Sequence, residues 1–428
     1  MLLDAASATG LLILAHSCKF YIIQVVNSSL RAMNLLALDN RTLIIPHLPT
    51  LITAIQSHLL RAIPSKSVLV STLAQGVPRP PSPSRRLVRS WSTSSDSELS
   101  DNDSKSNVYT STTPLHIRLQ YNALTLLATI ANAFPKQFSS FWNKFIPELP
   151  PSSSTSGFYD PKSLLGLLFN VSPKIRLATV HVLQNMLTNS KNYLAIASDG
   201  SNDGKAKSFL SFSEKLALQI HALHGGLVRA IESEQLSSIR AELVQTLALL
   251  VRNTTYGRLR VKWRIDIFDN IVKYLFGLDS EGSEECLTPN VIVAVLDCLC
   301  ALVDTDAIED HKGLERLIFR PATVPHSPDS VLDLVWRWAL SATEFNSIPN
   351  TQPTTALIHY TVKVAAMEFL CFVVRFFLSR LLATRLDANG IVRILDVNAN
   401  DSIEEIKSVS LKLLEQYLHS LNFMDPVR

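Results

Sequence analysis

The sequence predicts an all-α fold, an α-solenoid of stacked helical repeats, and three observations carry that expectation. Of 428 residues, 47% are hydrophobic, whereas only 13 are Gly and 7% are aromatic, a balance that favours helix over an all-β architecture. Long Leu- and Ala-rich runs have helical periodicity, and the breaks between them are clusters of Pro, Gly, Ser and Asn. A short motif recurs near the starts of the expected helices, which marks an array of units rather than one compact core.

Residues 1–75 read as N-terminal helical repeats. The run 10–26 is strongly apolar, yet Asp4 is the only charge ahead of it, so the basic flank of a signal peptide is missing. A membrane span needs about 20 clean residues, and His16 with Lys19 interrupts this run. The apolar segment 357–386 is interrupted in the same way by Lys363, Glu368, Arg375 and Arg380. Both are expected to be buried solenoid helices, and no membrane association is expected.

Residues 76–113 change character to Pro, Ser and charge, with almost nothing apolar to offset the entropy of ordering. A disordered linker is expected there. Its first half is basic (Arg79, Arg85, Arg86, Arg89) and its second half acidic (Asp96, Glu98, Asp101, Asp103). Ser82 precedes a proline, Ser92 lies three residues after Arg89, and Ser95 and Ser100 each have an acid three residues on. These contexts resemble proline-directed, basophilic and acidophilic kinase sites. Phosphate at any of them adds about two negative charges and would redirect the segment between partners. A segment that is simply solvated is the alternative.

From residue 114 to 428 the helical pattern resumes, broken at 147–161, 198–213, 277–289, 321–329 and 341–353. The recurring motif is an aliphatic residue, a base, and Leu seven positions after the base. It occurs as Leu30-Arg31…Leu38, Ile175-Arg176…Leu183, Ile239-Arg240…Leu247, Val362-Lys363…Leu370 and Ile406-Lys407…Leu414. Degenerate copies are Ile117-Arg118, with Leu one residue early, and Val291-Ile292…Leu299, without the base. Seven residues are nearly two helical turns, so the aliphatic residue and Leu share one face, expected to be buried. The base stands at the helix start, where an acid from a neighbouring repeat would hold it. Ser172-Pro173 and Thr288-Pro289 read as a cap followed by an N1 proline. Lys363 and Lys407 are 44 apart, the length of one HEAT or armadillo repeat, and the longer offsets elsewhere leave room for loop insertions.

Two further stretches carry a family resemblance. One is Asp160-Pro161-Lys162-Ser163-Leu164-Leu165, followed by Ser172-Pro173-Lys174-Ile175-Arg176 and Leu183-Gln184-Asn185-Met186-Leu187. The other is the Leu-rich segment 247–259 with Asn253, Tyr256 and Arg258. Together with the acidic Ser stretch 95–101, they resemble the HEAT repeat-containing protein 6 family, in the domain of unknown function of its N-terminal half. The resemblance covers roughly residues 90–270. It implies a HEAT/armadillo-type helical fold, no enzymatic activity and no assigned site residues. Members of that family are longer, so the chain is expected to be part of a larger product.

Chemistry-bearing constellations are sparse. There is no Gly-rich phosphate loop, HExxH or paired CxxC, so no catalytic, cofactor-binding or metal-ligating residues are assigned. His221 and His224 have metal-compatible spacing but stand at an expected helix end, where the dipole alone favours them. Five cysteines without framework spacing fit a reducing compartment, cytoplasmic or nuclear. Forty basic against 37 acidic residues leave +3, too little for binding nucleic acid through a global field.

Arg252, Arg258, Arg260 and Lys262 surround Tyr256 and Trp263, a pattern that stacks on single strands or, more simply, solvates a helix end. Trp336 and Trp338 flank Arg337 and cannot share one helical face, so an exposed interface anchor and ordinary packing both fit. These residues are the candidate partner-binding set. The expected function is a non-enzymatic scaffold for a protein partner of unknown identity; a nuclear-transport-like carrier or a nucleic-acid-associated subunit is the alternative.

Overall fold

The computed structural model describes residues 2–61, 112–148, 163–199, 210–259, 263–275, 288–304, 308–319, 330–341, 359–382 and 388–424. Every regular element among them is helical. The chain divides into two compact units, Met1–Leu126 and Leu127–Arg428. The linker expected at 76–113 lies outside the described residues except for its last two, which open a helix.

The first unit holds α1 (Leu2–Asp39), α2 (Leu48–Arg61) and the first part of α3 (Thr112–Ala133). Leu48, Ile52, Ile55 and Leu59 recur at helical spacing and are buried, which fixes the inward face of α2. Gln120 Nε2 donates to the Leu59 carbonyl at 3.5 Å, and Asn122 Nδ2 donates to Asn27 Oδ1. Two expectations fail here. The apolar run 10–26 is not a buried helix where it is described, because Tyr21, Ile22 and Val25 are each at least 60% exposed. Leu38 is 55% exposed although Leu30 is buried, so the motif's Leu does not face a core in α1.

The second unit is built from the end of α3, then α4 (Pro173–Thr188), α5 (Phe212–Ser233), α6 (Ser237–Asn253), α7 (Trp263–Leu275), α8 (Pro289–Val303), α9 (Ile308–Ile318), α10 (Val331–Leu340), α11 (Tyr360–Leu382), α12 (Ala388–Ala399) and α13 (Glu404–Met424). Helices α4, α6, α8, α11 and α13 pack in succession as one ladder. A second layer covers it, α5 against α6, α7 against α8, α10 against α11 and α12 against α13. This is an α-solenoid of HEAT/armadillo type, in which each helix pair buries its apolar face on its neighbours.

Local signals explain the helix starts. Ser211 with Glu214, and Ser330 with Asp333, close reciprocal capping boxes on α5 and α10. Pro173 and Pro289 occupy the first turn of α4 and α8, but the hydroxyls of Ser172 and Thr288 make no capping bond. Ahead of α4, Asn170 Oδ1 instead accepts from the Ser172 N–H at 2.9 Å, a turn that leads the chain into the helix.

The motif sets the register of the ladder. Taking Arg176, Arg240, Ile292, Lys363 and Lys407 as equivalent, the residues four, seven and eleven positions later form one helical stripe. They are Val180, Leu183 and Leu187 in α4; Val244, Leu247 and Val251 in α6; Leu296, Leu299 and Val303 in α8; and Met367, Leu370 and Val374 in α11. All twelve are buried. Leu247, for example, shares a small space with Ile267, Ile271 and Tyr274 of the next layer's α7. Burying each such side chain contributes about 1.5–3 kcal/mol.

Two of the bases, Arg176 and Lys363, act between successive ladder helices, whereas Arg240 donates to the Glu234 carbonyl ahead of its own helix and Lys407 meets Glu404 on its own. Arg176 Nε and Nη2 donate to both oxygens of Glu234, just ahead of α6, at 2.7 and 2.8 Å. Lys363 Nζ lies 3.4 Å from Asp401, just ahead of α13, with both side chains buried. Glu234 and Asp401 each stand six residues before the next basic position. Each also accepts a backbone N–H two residues on, Leu236 at 3.0 Å and Ile403 at 3.1 Å.

Candidate functional site

The ladder presents a second face, offset from the buried stripe. Residues five, eight, nine and twelve positions after the motif base lie together on each helix, at i, i+3, i+4 and i+7 spacing. In α8 they are Asp297, Cys300, Ala301 and Asp304; in α11, Glu368, Cys371, Phe372 and Arg375. In α13 they are Lys412, Glu415, Gln416 and His419. Together with Arg252, which holds the twelfth position on α6, all of these but His419 line a groove of about 340 Å³.

The groove is charged on its rims and softer at its base. Arg252 Nη2 donates to Asp297 Oδ1, bridging α6 to α8. Arg375 on α11 reaches back to Asp304 on α8 at 3.6 Å. Both pairs are exposed, so each is worth about 0–1 kcal/mol. Burial pushes the Glu368 carboxyl up, and nearby Asp297 adds to that, partly offset by Lys412 and Arg252. A cation placed between Asp297 and Glu368 would relieve that repulsion. The lining comprises Asp297, Asp304, Glu368 and Glu415 against Arg252, Arg375 and Lys412, so neither sign dominates.

The sequence-derived residues fall in several places. Arg252 is the one that lines the groove. Arg258 is exposed and donates Nη1–H to the Ala195 carbonyl at 3.3 Å. Tyr256 is buried, a correction to its place among surface candidates: its hydroxyl is 2.9 Å from His224 Nε2. Trp336 is also buried rather than presented to a partner, because Gly390 on α12 leaves room for its indole. Arg337 is exposed on α10, away from the groove lining. Arg260, Lys262, Ser82, Ser92, Ser95 and Ser100 lie outside the described residues, and Trp263 is described only as the start of α7.

The two histidines are engaged inside the fold. His224 Nδ1–H donates to the Ile220 carbonyl at 2.9 Å, which leaves Nε2 as acceptor for the Tyr256 hydroxyl. His221 Nε2 is 3.0 Å from Asp199. Among the described residues, no three His, Cys, Asp or Glu side chains gather as metal ligands would. No helix of the described residues is long and apolar enough to cross a membrane.

Sequence reading missed Asp297, Asp304, Glu368, Arg375 and Lys412 as a set. The available signal was their offset of five or twelve from the motif base, which is legible only once the helices are known to be neighbours.

Residues 117–310 match the family model described as a domain of unknown function (DUF4042). Among solved structures, the chain is similar to Kap121p bound to Pho4p, with 10% identity and a TM-score of 0.46 over 73% of this chain and 24% of that one. It is also similar to Kap121p bound to Ste12p, with 11% identity and a TM-score of 0.43 over 70% of this chain and 23% of that one. A designed armadillo repeat protein in complex with peptide (KR)4 matches at 14% identity and a TM-score of 0.41, over 70% of this chain and 94% of that one. The chain therefore spans about a quarter of the length of Kap121p.

Proposed function

We propose that this chain is a non-enzymatic scaffold that holds a protein partner along the α6–α8–α11–α13 face of its ladder. The observation that carries this reading is the groove itself. Four successive helices place the same register positions in one strip, and that strip carries weakly held, exposed ion pairs. An extended polypeptide with basic and acidic side chains would trade those pairs for its own, with a basic residue entering between Asp297 and Glu368. Alternating sign along the strip favours protein over nucleic acid, which needs a continuous positive track. A cytoplasmic or nuclear setting goes with this reading, since Cys298, Cys300 and Cys371 are free thiols. Phosphorylation of Ser82, Ser92, Ser95 or Ser100 would then tune partner choice from the linker.

The test is affinity purification with mass spectrometry, comparing the intact chain with an Arg252→Glu/Arg375→Glu variant in nuclease and moderate salt. Protein partners retained by the intact chain and lost from the variant are the expected result. Recovery of nuclease-sensitive material alone, or identical partners for both chains, would overturn the reading.

A further inference from the structure

The charges of the groove are not equally engaged. Arg252 on α6 donates to Asp297 on α8, and Arg375 on α11 lies 3.6 Å from Asp304 on α8. Among the described residues, Glu368 on α11 and Lys412 and Glu415 on α13 make no ion pair. Glu368 and Lys412 both hold the five position, on helices that pack directly against each other. One turn beyond Glu368 on the same face, Cys371 and Phe372 line the groove with Cys300 and Ala301 of α8. A carboxylate without an ion-pair partner thus stands within a turn of an aromatic ring, above a floor of small and sulfur-bearing side chains.

Taking the groove as the docking strip proposed above, we infer that it reads an arginine and an acid three residues apart in a partner segment of polyproline II form. The arginine meets Glu368. Its planar fork matches both carboxylate oxygens and its flat face lies over Phe372, whereas an ammonium offers only a point charge. The acid meets Lys412. The spacing follows from the ladder, because directly packed helices stand about 8–10 Å apart. A polyproline II segment advances about 9 Å in three residues and returns to the same side, so residues i and i+3 face neighbouring helices. A β-strand alternates sides and sets same-side residues about 7 Å apart, out of step with the helices. Three residues towards α8 the segment reaches Asp297, which Arg252 already satisfies, so no second base is called for there.

The probes are two fluorescein-labelled, proline-framed peptides with one arginine and one glutamate three residues apart, in either order. Each is titrated into the intact chain and followed by anisotropy. Saturable binding of one order is expected, weakened about tenfold when the peptide's arginine becomes lysine or its glutamate moves one residue nearer. In the chain, Glu368→Gln should weaken binding about tenfold. Lys412→Glu should weaken it too, until the peptide's glutamate is exchanged for lysine. Circular dichroism checks that the variants fold, and the peptide series decides on the unaltered chain if one does not. Absence of saturable binding in both orders, equal binding of the lysine peptide, or binding indifferent to spacing overturns the inference. So does equal binding of an all-basic peptide of the same length. Protein partners lost from Arg252→Glu/Arg375→Glu while neither peptide binds would overturn the arginine-and-acid pattern and leave the scaffold reading standing. Specific peptide binding with no protein partner captured would do the reverse.

Discussion

Arg176 grips Glu234 at two points, whereas Lys363 meets Asp401 at one, although both pairs occupy the same place in the repeat. The planar guanidinium matches both carboxylate oxygens, and an ammonium offers a point charge. Arg176 also donates to the Asn170 carbonyl at 2.9 Å, so it joins the entries of α4 and α6. These pairs sit between layers and fix how one helix pair is set against the next.

Double-mutant cycles should therefore find stronger coupling for Arg176–Glu234 than for Lys363–Asp401. Glu234→Ala alone should cost about 3 kcal/mol, since it strands a mostly buried guanidinium and two backbone N–H groups. Burial pushes the Glu234 carboxyl up, but Arg176 and the N–H groups of Leu236 and Gln235 bring it to a net position below the ordinary value. Its contribution is then complete above the ordinary carboxylate range and is lost as pH falls through the lower folded value. Urea denaturation of the intact chain and of Glu234→Gln should show a stability gap that narrows on acidification. A gap independent of pH would mean the pair does not act through its charge.

How much of this was legible in the sequence depends on which interaction sets each residue. The helices and the repeat register follow from side-chain periodicity, so Ile175, Leu183, Ile239 and Leu247 are placed correctly by spacing alone. Tyr256 was not, and Trp336 stayed open between packing and exposure, because their burial depends on partners 32 and 54 residues away, His224 and Gly390, that no local pattern announces. The groove was missed for the same reason. Asp297, Glu368 and Lys412 become one site only when the intervening α9, α10 and α12 are set to the side of the ladder.

His224 makes acid stability a test of that buried network. Burial is the main cause that lowers its pKa to about 3, helped by His221 and opposed by the bond to the Ile220 carbonyl. A histidine depressed in the folded state costs nothing above its unfolded value near 6.5. Below that value the unfolded chain takes a proton that the folded chain refuses, so stability falls by up to about 1.4 kcal/mol per pH unit. His224→Phe should be less stable at pH 7, because the Tyr256 hydroxyl loses its acceptor, yet should lose less stability between pH 7 and pH 5. Equal slopes in urea melts at the two pH values would show that His224 is not held neutral.

Gly390 against Trp336 gives a steric prediction with opposing terms. A Cβ on Gly390 would lie 2.6 Å from the indole Cζ2, and the indole is buried, so α12 or the ring must shift. Overpacking of this kind costs about 1–3 kcal/mol, while Ala in a helix regains up to about 1 kcal/mol over Gly. Gly390→Ala should therefore be destabilising by roughly 1 kcal/mol in chemical denaturation, with a changed tryptophan emission. Gly390→Ala in a Trp336→Leu background should be neutral or stabilising, since the clash is gone. A stabilising Gly390→Ala in the otherwise unchanged chain would show that the ring has room to move.

Thiol reactivity tests the burial of the ladder helices directly. Cys298 and Cys300 on α8 are buried, and burial pushes both thiols up. Cys371 on α11 is half-buried, and burial, then Glu368, raise it to about 12, with Lys412 opposing. Cys371 therefore stays largely protonated at pH 8, and the thiolate is the species that alkylates. Iodoacetamide at pH 8 followed by peptide mapping should label all three at least about a hundredfold more slowly in the native chain than in urea. The same shifts fix a sign at the alkaline end. Stability should fall as pH rises past the ordinary thiol value of about 8.5, where the unfolded chain releases protons that the folded chain retains. Native labelling of Cys371 at the unfolded rate would mean that the groove base is open to solvent, and that the packing of α11 against α8 is looser than described.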